Sequence, residues 1–134
     1  MNEPDVNSSA SARIVVGPAD LASALPLEPQ DAFPAVFATA RMVALMEIAS
    51  ARLLYPLLGS DEMSVGVSID VAHTAPTPVG ATVTATARFL GREGKLFLFE
   101  VVASDSGGEI GRGHHKRAIV SAKRLQNGAS KRLL

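Results

Sequence analysis

The chain has 134 residues, a length that favours one compact domain around one hydrophobic core. Hydrophobic residues make up 47% of it and charged residues 19%, which excludes a disordered or collagen-like chain. Thirteen basic residues balance thirteen acidic ones, so the charge favours neither nucleic acid nor an acidic membrane as a partner. With no cysteine and three histidines, we expect no thiol chemistry, no metal and no cofactor.

The first residues carry no targeting signal, and no segment predicts a membrane helix. The sequence MNEPDVNSSASAR lacks the basic start and apolar core of a signal peptide. The longest stretch without a charged residue, 71–87, contains prolines and is shorter than the ~20 apolar residues that a membrane helix needs. We therefore expect a cytoplasmic protein with one domain over residues 11–124 and flexible ends at residues 1–10 and 125–134.

The first elements in chain order are a short strand and a long helix. Residues 13–17 predict the strand, and a proline-rich loop follows as far as residue 31. From Thr39 to about Tyr55, helix-forming and apolar residues recur at spacings of three and four, and Pro56 stops the pattern. This predicts a long helix with Thr39 as its N-cap.

After the helix, apolar residues mostly alternate with polar ones, as in half-buried strands. The predicted strands cover residues 64–72, 82–89, 95–104 and 109–122. Glycine-containing turns join the last three strands as an antiparallel meander. One long helix among about five antiparallel strands predicts an α+β hot-dog fold, in which the sheet curls around the helix. The open edges of so small a sheet predict a homodimer that pairs edge to edge.

Glu47 does not fit the charged face of the predicted helix. At about 100° per residue, Arg41 and Arg52 project to the same side, whereas Glu47 points about 120–140° away from both. No cation on the helix can pair with it, and an interior carboxylate is costly unless it is hydrogen-bonded or protonated. Glu47 is therefore a candidate catalytic residue. The alternative is that a backbone N–H or a strand arginine such as Arg88 satisfies it in the core.

His73 and Thr39 are the next candidates. His73 ends a predicted strand just before a proline-rich turn, where scaffolds often display functional side chains, although a lone loop histidine is also a common surface residue. Thr39 projects about 80° from Glu47 and can border the same pocket, beside its simpler interpretation as an N-cap.

The last predicted strand carries two adjacent histidines and a basic cluster. His114 and His115 must face opposite sides, and we interpret both as structural or solvated. Arg112, Lys116 and Arg117 could hold a phosphate, but charges on an edge strand also protect it from aggregation.

Three segments of the chain together resemble the fluoroacetyl-CoA thioesterase family. They are FPAVFAT continuing to MVALME in residues 33–47, VAHTAPTP in 71–78 and EIGRGHHKRA in 109–118. Their order and spacing are similar to those of the family. The resemblance implies hot-dog topology, a homodimer and hydrolysis of a short-chain acyl-CoA, with fluoroacetyl-CoA as one candidate.

The resemblance also implies the residues of the site. The catalytic threonine, glutamate and histidine of the family match Thr39, Glu47 and His73, and its ligand contacts and aromatic lid match Gly66, Arg117 and Phe33. Glu47 would attack the thioester or activate water. Two other classes stay open on this scaffold: a non-catalytic module that binds acyl-CoA or another small molecule, and a different hot-dog enzyme such as a hydratase.

Overall fold

A five-stranded antiparallel sheet curls around one long helix in the computed structural model, which describes residues 3–133. The helix α1 is Thr39–Leu54, and a short helix α2, Ala122–Ser130, ends the fold. The strands are β1 Ser9–Val15, β2 Glu62–His73, β3 Thr82–Glu93, β4 Leu96–Asp105 and β5 Gly108–Ser121. Their order is β1-β3-β4-β5-β2, so β3, β4 and β5 form the predicted meander. The predicted α+β hot-dog architecture is confirmed.

Helix α1 buries one face against the concave side of the sheet. Its apolar residues recur at spacings of three and four, and the buried set is Met42, Leu45, Met46, Ala49, Ser50 and Leu54. Each large apolar side chain buried in this way contributes roughly 1.5–3 kcal/mol to folding. The N-cap prediction is wrong: Ala38 is the N-cap, and the Thr39 side chain makes no capping bond because it bonds to His73 instead.

The central strands alternate between the core and the outer face, as the two-residue period predicts. In β3 and β4 the buried positions include small residues, such as Ala85 and Ala103, beside two aromatic ones. Phe89 and Phe99 are register partners, and their ring centroids lie 5.8 Å apart. The small side chains leave room for α1 and the aromatic ones fill the space around it, so the core forms between the helix and the sheet.

Regular structure begins earlier and ends later than we expected. Strand β1 starts at Ser9 and pairs with β3. In the expected C-terminal tail, α2 forms with Ser121 as its N-cap, whose Oγ accepts from the Arg124 N–H at 3.2 Å. Residues 1, 2 and 134 lie outside the described part, and the flexibility of the ends and the domain limits stay predictions. From residue 3 to residue 133, no helix is long and apolar enough to cross a membrane.

Candidate active site

Glu47 is held by an arginine that comes from β5. Its Oε1 accepts a hydrogen bond from Arg117 Nη1 at 2.9 Å. The guanidinium is buried, and its Nε and Nη2 donate to Ser64 Oγ at 3.0 Å and to the Ser64 carbonyl at 2.9 Å. Arg88, which we considered as a partner, instead pairs with Glu100, 3.1 Å away. A strand arginine therefore does satisfy Glu47, but it is Arg117.

The Glu47 carboxylate lies at the wall of a cavity rather than inside the core. The cavity has a volume of about 220 Å³, and its lining includes Val43, Gly66, Ile69 and His115. In the single chain 41% of the Glu47 side chain is exposed, so the predicted burial among apolar groups is wrong for one chain alone. Within residues 3–133, Oε1 takes the hydrogen bond and Oε2 has no partner, which leaves Oε2 free for a ligand.

His115 belongs to this cluster, although we interpreted it as structural or solvated. It is only 2% exposed, its Nε2 lies 3.9 Å from Glu47 Oε1, and its Nδ1 lies 2.7 Å from the Ser68 carbonyl. Burial lowers the pKa of His115; the Ser68 hydrogen bond opposes this effect and the Arg117 charge adds to it. The alternation of β5 could have indicated this position, because His115 and Arg117 are two residues apart and share a face.

Gly66 lets the carboxylate lie directly against β2. A Cβ at this position would overlap Glu47 Oε1 and would lie 3.2 Å from His115 Cε1. The β2–β5 register also shifts between Gly66 and Ser68, which marks a bulge beside the cavity. Glycine is therefore required here for close approach of the carboxylate to the backbone.

Thr39 and His73 form a second pair. The Thr39 Oγ1 lies 2.8 Å from His73 Nδ1. The His73 Nε2 is buried and has no hydrogen-bond partner in the part of the chain that the structure describes. Both residues line a largely apolar cavity of about 380 Å³, together with Pro34, Phe37 and Pro76. Since native proteins rarely leave a buried ring nitrogen unpaired, Nε2 is a candidate contact for a ligand.

The two pairs lie apart within one chain. Thr39 and Glu47 are eight residues apart on α1, which corresponds to about 12 Å along the helix axis. The two cavity linings share no residue, so the common pocket that we expected does not form from a single chain. Phe33 lies in the loop before α1, is 52% exposed and lines neither of these two cavities.

The curled sheet, the central helix and a carboxylate fixed at a cavity wall define a hot-dog domain with a site suited to acid–base or nucleophilic chemistry. The sequence from residue 16 to residue 123 matches the family FlK, described as fluoroacetyl-CoA-specific thioesterase. The chain therefore belongs to this family.

Individual relatives agree with this assignment. A fluoroacetyl-CoA thioesterase from Streptantibioticus cattleyicolor is 46% identical over 93 residues, which span 69% of this chain and 67% of that protein. A solved structure of the fluoroacetyl-CoA thioesterase FlK has a TM-score of 0.91 at 38% identity, covering 96% of this chain and 97% of that one. A thioesterase superfamily member from Thermus thermophilus reaches a TM-score of 0.86 at 25% identity, over 98% and 94% of the two chains. The fold and the family implied by the resemblance are confirmed.

Proposed function

We propose that the protein is a thioesterase that hydrolyses a short-chain acyl-CoA to the free acid and CoA, with fluoroacetyl-CoA among its candidate substrates. The observation that carries the proposal is the Glu47 carboxylate, fixed through Oε1 by Arg117 and with Oε2 unpartnered at a cavity wall within the described residues. Family membership supports it. Structures of the similar thioesterase FlK include one in complex with acetyl-CoA and one with fluoroacetate and CoA, which supports a small acyl group.

Glu47 can act in two ways. As a general base it takes a proton from water, whose oxygen attacks the thioester carbonyl; the tetrahedral intermediate then collapses and expels the CoA thiolate. As a nucleophile it attacks the carbonyl itself and expels the CoA thiolate, which gives a mixed anhydride that water hydrolyses to the acid and free Glu47. A single turnover in ¹⁸O-labelled water distinguishes the two routes. In the nucleophilic route, water that attacks the Glu47 carbonyl of the anhydride leaves ¹⁸O in the Glu47 carboxylate, whereas the general-base route leaves no label there.

We propose that His73 stabilises the departing CoA thiolate with a hydrogen bond from its Nε2–H, and that the thiolate then takes its proton from solvent. The His73 Nδ1 can accept from the Thr39 hydroxyl at 2.8 Å, which leaves the proton on Nε2, the buried nitrogen that has no partner among residues 3–133. Thr39 then fixes the tautomer and the ring orientation. The developing oxyanion is assigned to a backbone N–H near Gly66, at the bulge of β2.

Arg117 is better placed to orient Glu47 than to bind CoA. A guanidinium has five N–H donors, and Arg117 makes four contacts as a donor, to Ser64 Oγ, the Ser64 carbonyl, Glu47 and His115. At most one N–H remains for a ligand. Phe33 as an aromatic lid and a cytoplasmic location stay predictions.

We further propose that two copies pair along β2 and that each site combines Glu47 and Arg117 of one protomer with Thr39 and His73 of its partner. Strand β2 is an edge of the sheet. It exposes 53% of Val67 and 40% of Ile69, apolar surface that a second copy would cover. A twofold contact along this edge is isologous, so two equivalent sites follow.

The direct test of the proposed activity is thiol release from a panel of acyl-CoAs that includes acetyl-CoA and fluoroacetyl-CoA. We expect turnover, and a loss of about 10²-fold or more in Glu47→Gln, because a positioned acid–base group usually contributes at least that much. The matched control is Glu93→Gln, which removes an exposed carboxylate paired with Lys116 on β5 and should keep the wild-type rate. A loss below about tenfold in Glu47→Gln would contradict the proposed role of this residue.

Two other outcomes would replace the proposal. Saturable binding of CoA thioesters without turnover would indicate a binding module. Formation of a 3-hydroxyacyl product from an enoyl-CoA would indicate a hydratase.

A further inference from the structure

His115 is a buried imidazole, and the proposed mechanism does not use it as a reacting group. It lies on the inward face of β5, where its ring centroid is 6.4 Å from that of Phe99 on β4. A buried polar ring is costly unless both nitrogens find partners. Here both do, so the identity of those partners defines the state of the ring.

The two partners of His115 require one tautomer. The Ser68 carbonyl, 2.7 Å from Nδ1, can only accept, so Nδ1 carries the hydrogen. Arg117 Nη1, 3.1 Å from Nε2, can only donate, so Nε2 presents its lone pair. Only the neutral imidazole with its proton on Nδ1 satisfies both contacts. An imidazolium would place two donors and two positive charges face to face.

The lone pair of His115 acts on the nitrogen that also holds the catalytic carboxylate. Arg117 Nη1 contacts His115 Nε2 at 3.1 Å and Glu47 Oε1 at 2.9 Å. The other two guanidinium nitrogens are fixed by Ser64. The guanidinium is planar, so acceptors at different nitrogens together fix its orientation. Here His115 Nε2 accepts at Nη1, and Ser64 accepts at Nε and Nη2. The direction of the bond from Arg117 to Glu47 is then fixed as well.

We propose that His115 is a positioning residue: as a neutral imidazole with its proton on Nδ1, it holds the Arg117 guanidinium and, through it, the Glu47 carboxylate. This inference deepens the proposed thioesterase function and rests on it for its effect on turnover.

Acid should disrupt the arrangement. The charged and polar groups that face the ring are Glu47 from α1, Arg117 from β5 and the Ser68 carbonyl from β2, and Phe99 of β4 packs beside it. Burial, the largest effect, lowers the pKa of His115, so the neutral form persists into mildly acidic solution. Protonation at lower pH would turn Nε2 into a donor against Nη1 and release the guanidinium.

The test compares His115→Gln with His115→Leu, because the Gln carbonyl can replace Nε2 as an acceptor and Leu cannot. We expect His115→Leu to lose about 10²-fold in kcat with KM within about threefold, since a displaced catalytic group costs rate rather than binding. His115→Gln should recover kcat to within about tenfold of wild type. Because Gln does not titrate, kcat of this variant should fall less at acidic pH than kcat of the wild type. His114→Gln, an exposed neighbour on the outer face, is the matched control and should keep the wild-type rate and pH profile.

A second measurement does not depend on turnover. Long-range ¹H–¹⁵N spectra should show His115 as the neutral Nδ1–H tautomer at pH 7, and the three histidines of the chain make assignment with single variants practical. The Arg117 guanidinium protons should be resolved in wild type and averaged in His115→Leu. If no acyl-CoA is hydrolysed, the proposed function fails while these spectra still decide the state of His115. A folded His115→Leu with wild-type kcat, or an Nε2–H tautomer, would overturn the positioning role.

Discussion

The shared site makes a strong prediction for dimers assembled from two different inactive chains. One chain carries Glu47→Gln and the other carries His73→Ala, each with its own affinity tag so that the mixed dimer can be purified. If each site takes Glu47 from one protomer and His73 from the other, the mixed dimer contains one intact site and one site that lacks both groups. Since the wild-type dimer has two equivalent sites, the mixed dimer should have about half its kcat per dimer.

The expectation rests on the separation of the two pairs within one chain. Thr39 and Glu47 are about 12 Å apart along α1, and the cavities that hold them have no lining residue in common. Reacting groups must lie about 3–3.5 Å from the atoms they act on. The Thr39–His73 pair and Glu47 of the same chain are therefore too far apart to act on one small acyl group, so one of the two must come from a second copy. If both pairs instead served one site in the same chain, every site of the mixed dimer would lack one group, and almost no activity would return.

The assay is thiol release from acetyl-CoA by the purified mixed dimer and by the two parent homodimers. The matched control joins Glu47→Gln with Arg117→Met, because these residues contact each other within one chain and their mixed dimer would contain no intact site. We expect activity from the first mixture and none above the parents from the control. Parent-level activity in both mixtures, with the mixed dimer verified by mass spectrometry, would refute the shared site, and so would a fully active monomer.

Three further predictions follow from local geometry. Gly66→Ala should lower kcat by about 10²-fold because the added Cβ displaces the Glu47 carboxylate. The control is Gly128→Ala on α2, where a Cβ meets nothing within 4 Å and kcat should not change. An equal effect of the two variants on kcat would contradict the prediction. Thr39→Val should lower kcat/KM by about 2- to 12-fold, which corresponds to about 0.5–1.5 kcal/mol, because the hydrogen bond to His73 is lost. Thr39→Ser keeps the hydroxyl and should keep most of the activity. Equal rates for the two variants would argue against a role for this hydrogen bond. Burial lowers the pKa of His115 in the folded protein below the ordinary value of about 6.5 that applies to the unfolded chain. Below about pH 6.5 the unfolded chain therefore binds more protons than the folded protein does. The stability that is present above that pH is lost as the pH falls through the lowered pKa. Urea unfolding between pH 8 and 5 should show a decline that is smaller in His115→Gln, and equal slopes would exclude this contribution.

Local periodicity was enough to predict the helix and the sheet. Helix α1 begins at Thr39 and ends at Leu54, close to the predicted limits, because its apolar residues repeat at spacings of three and four and Pro56 follows. The helix α2 was not predicted because its apolar residues are few and we judged the end of the chain by its polarity. The capping role of Thr39 was wrong because a contact with His73, 34 residues away, competes with the local bond.

The site was less accessible to prediction from sequence because its contacts depend on strand register. The helical angle of Glu47 showed that it needed a partner from outside its helix, but the choice between Arg88 and Arg117 depends on which β-strand lies beside that part of α1. For the same reason His115 was overlooked: alternation places it on the same face as Arg117, but the contact of Arg117 with Glu47, which shows that this face lines the site, depends on strand register.

The electrostatics of the cluster and the proposed assembly support each other. In one chain the Glu47 carboxylate is partly exposed, and water weakens its attraction to Arg117. Covering the β2 edge with a second copy would remove that water and so would make an unpaired carboxylate costly. A buried guanidinium, fixed by Ser64 and by a neutral His115, offsets this cost on Oε1 and leaves Oε2 for the reaction. A shared site therefore needs the rigid arginine, whereas an open site in a single chain would not.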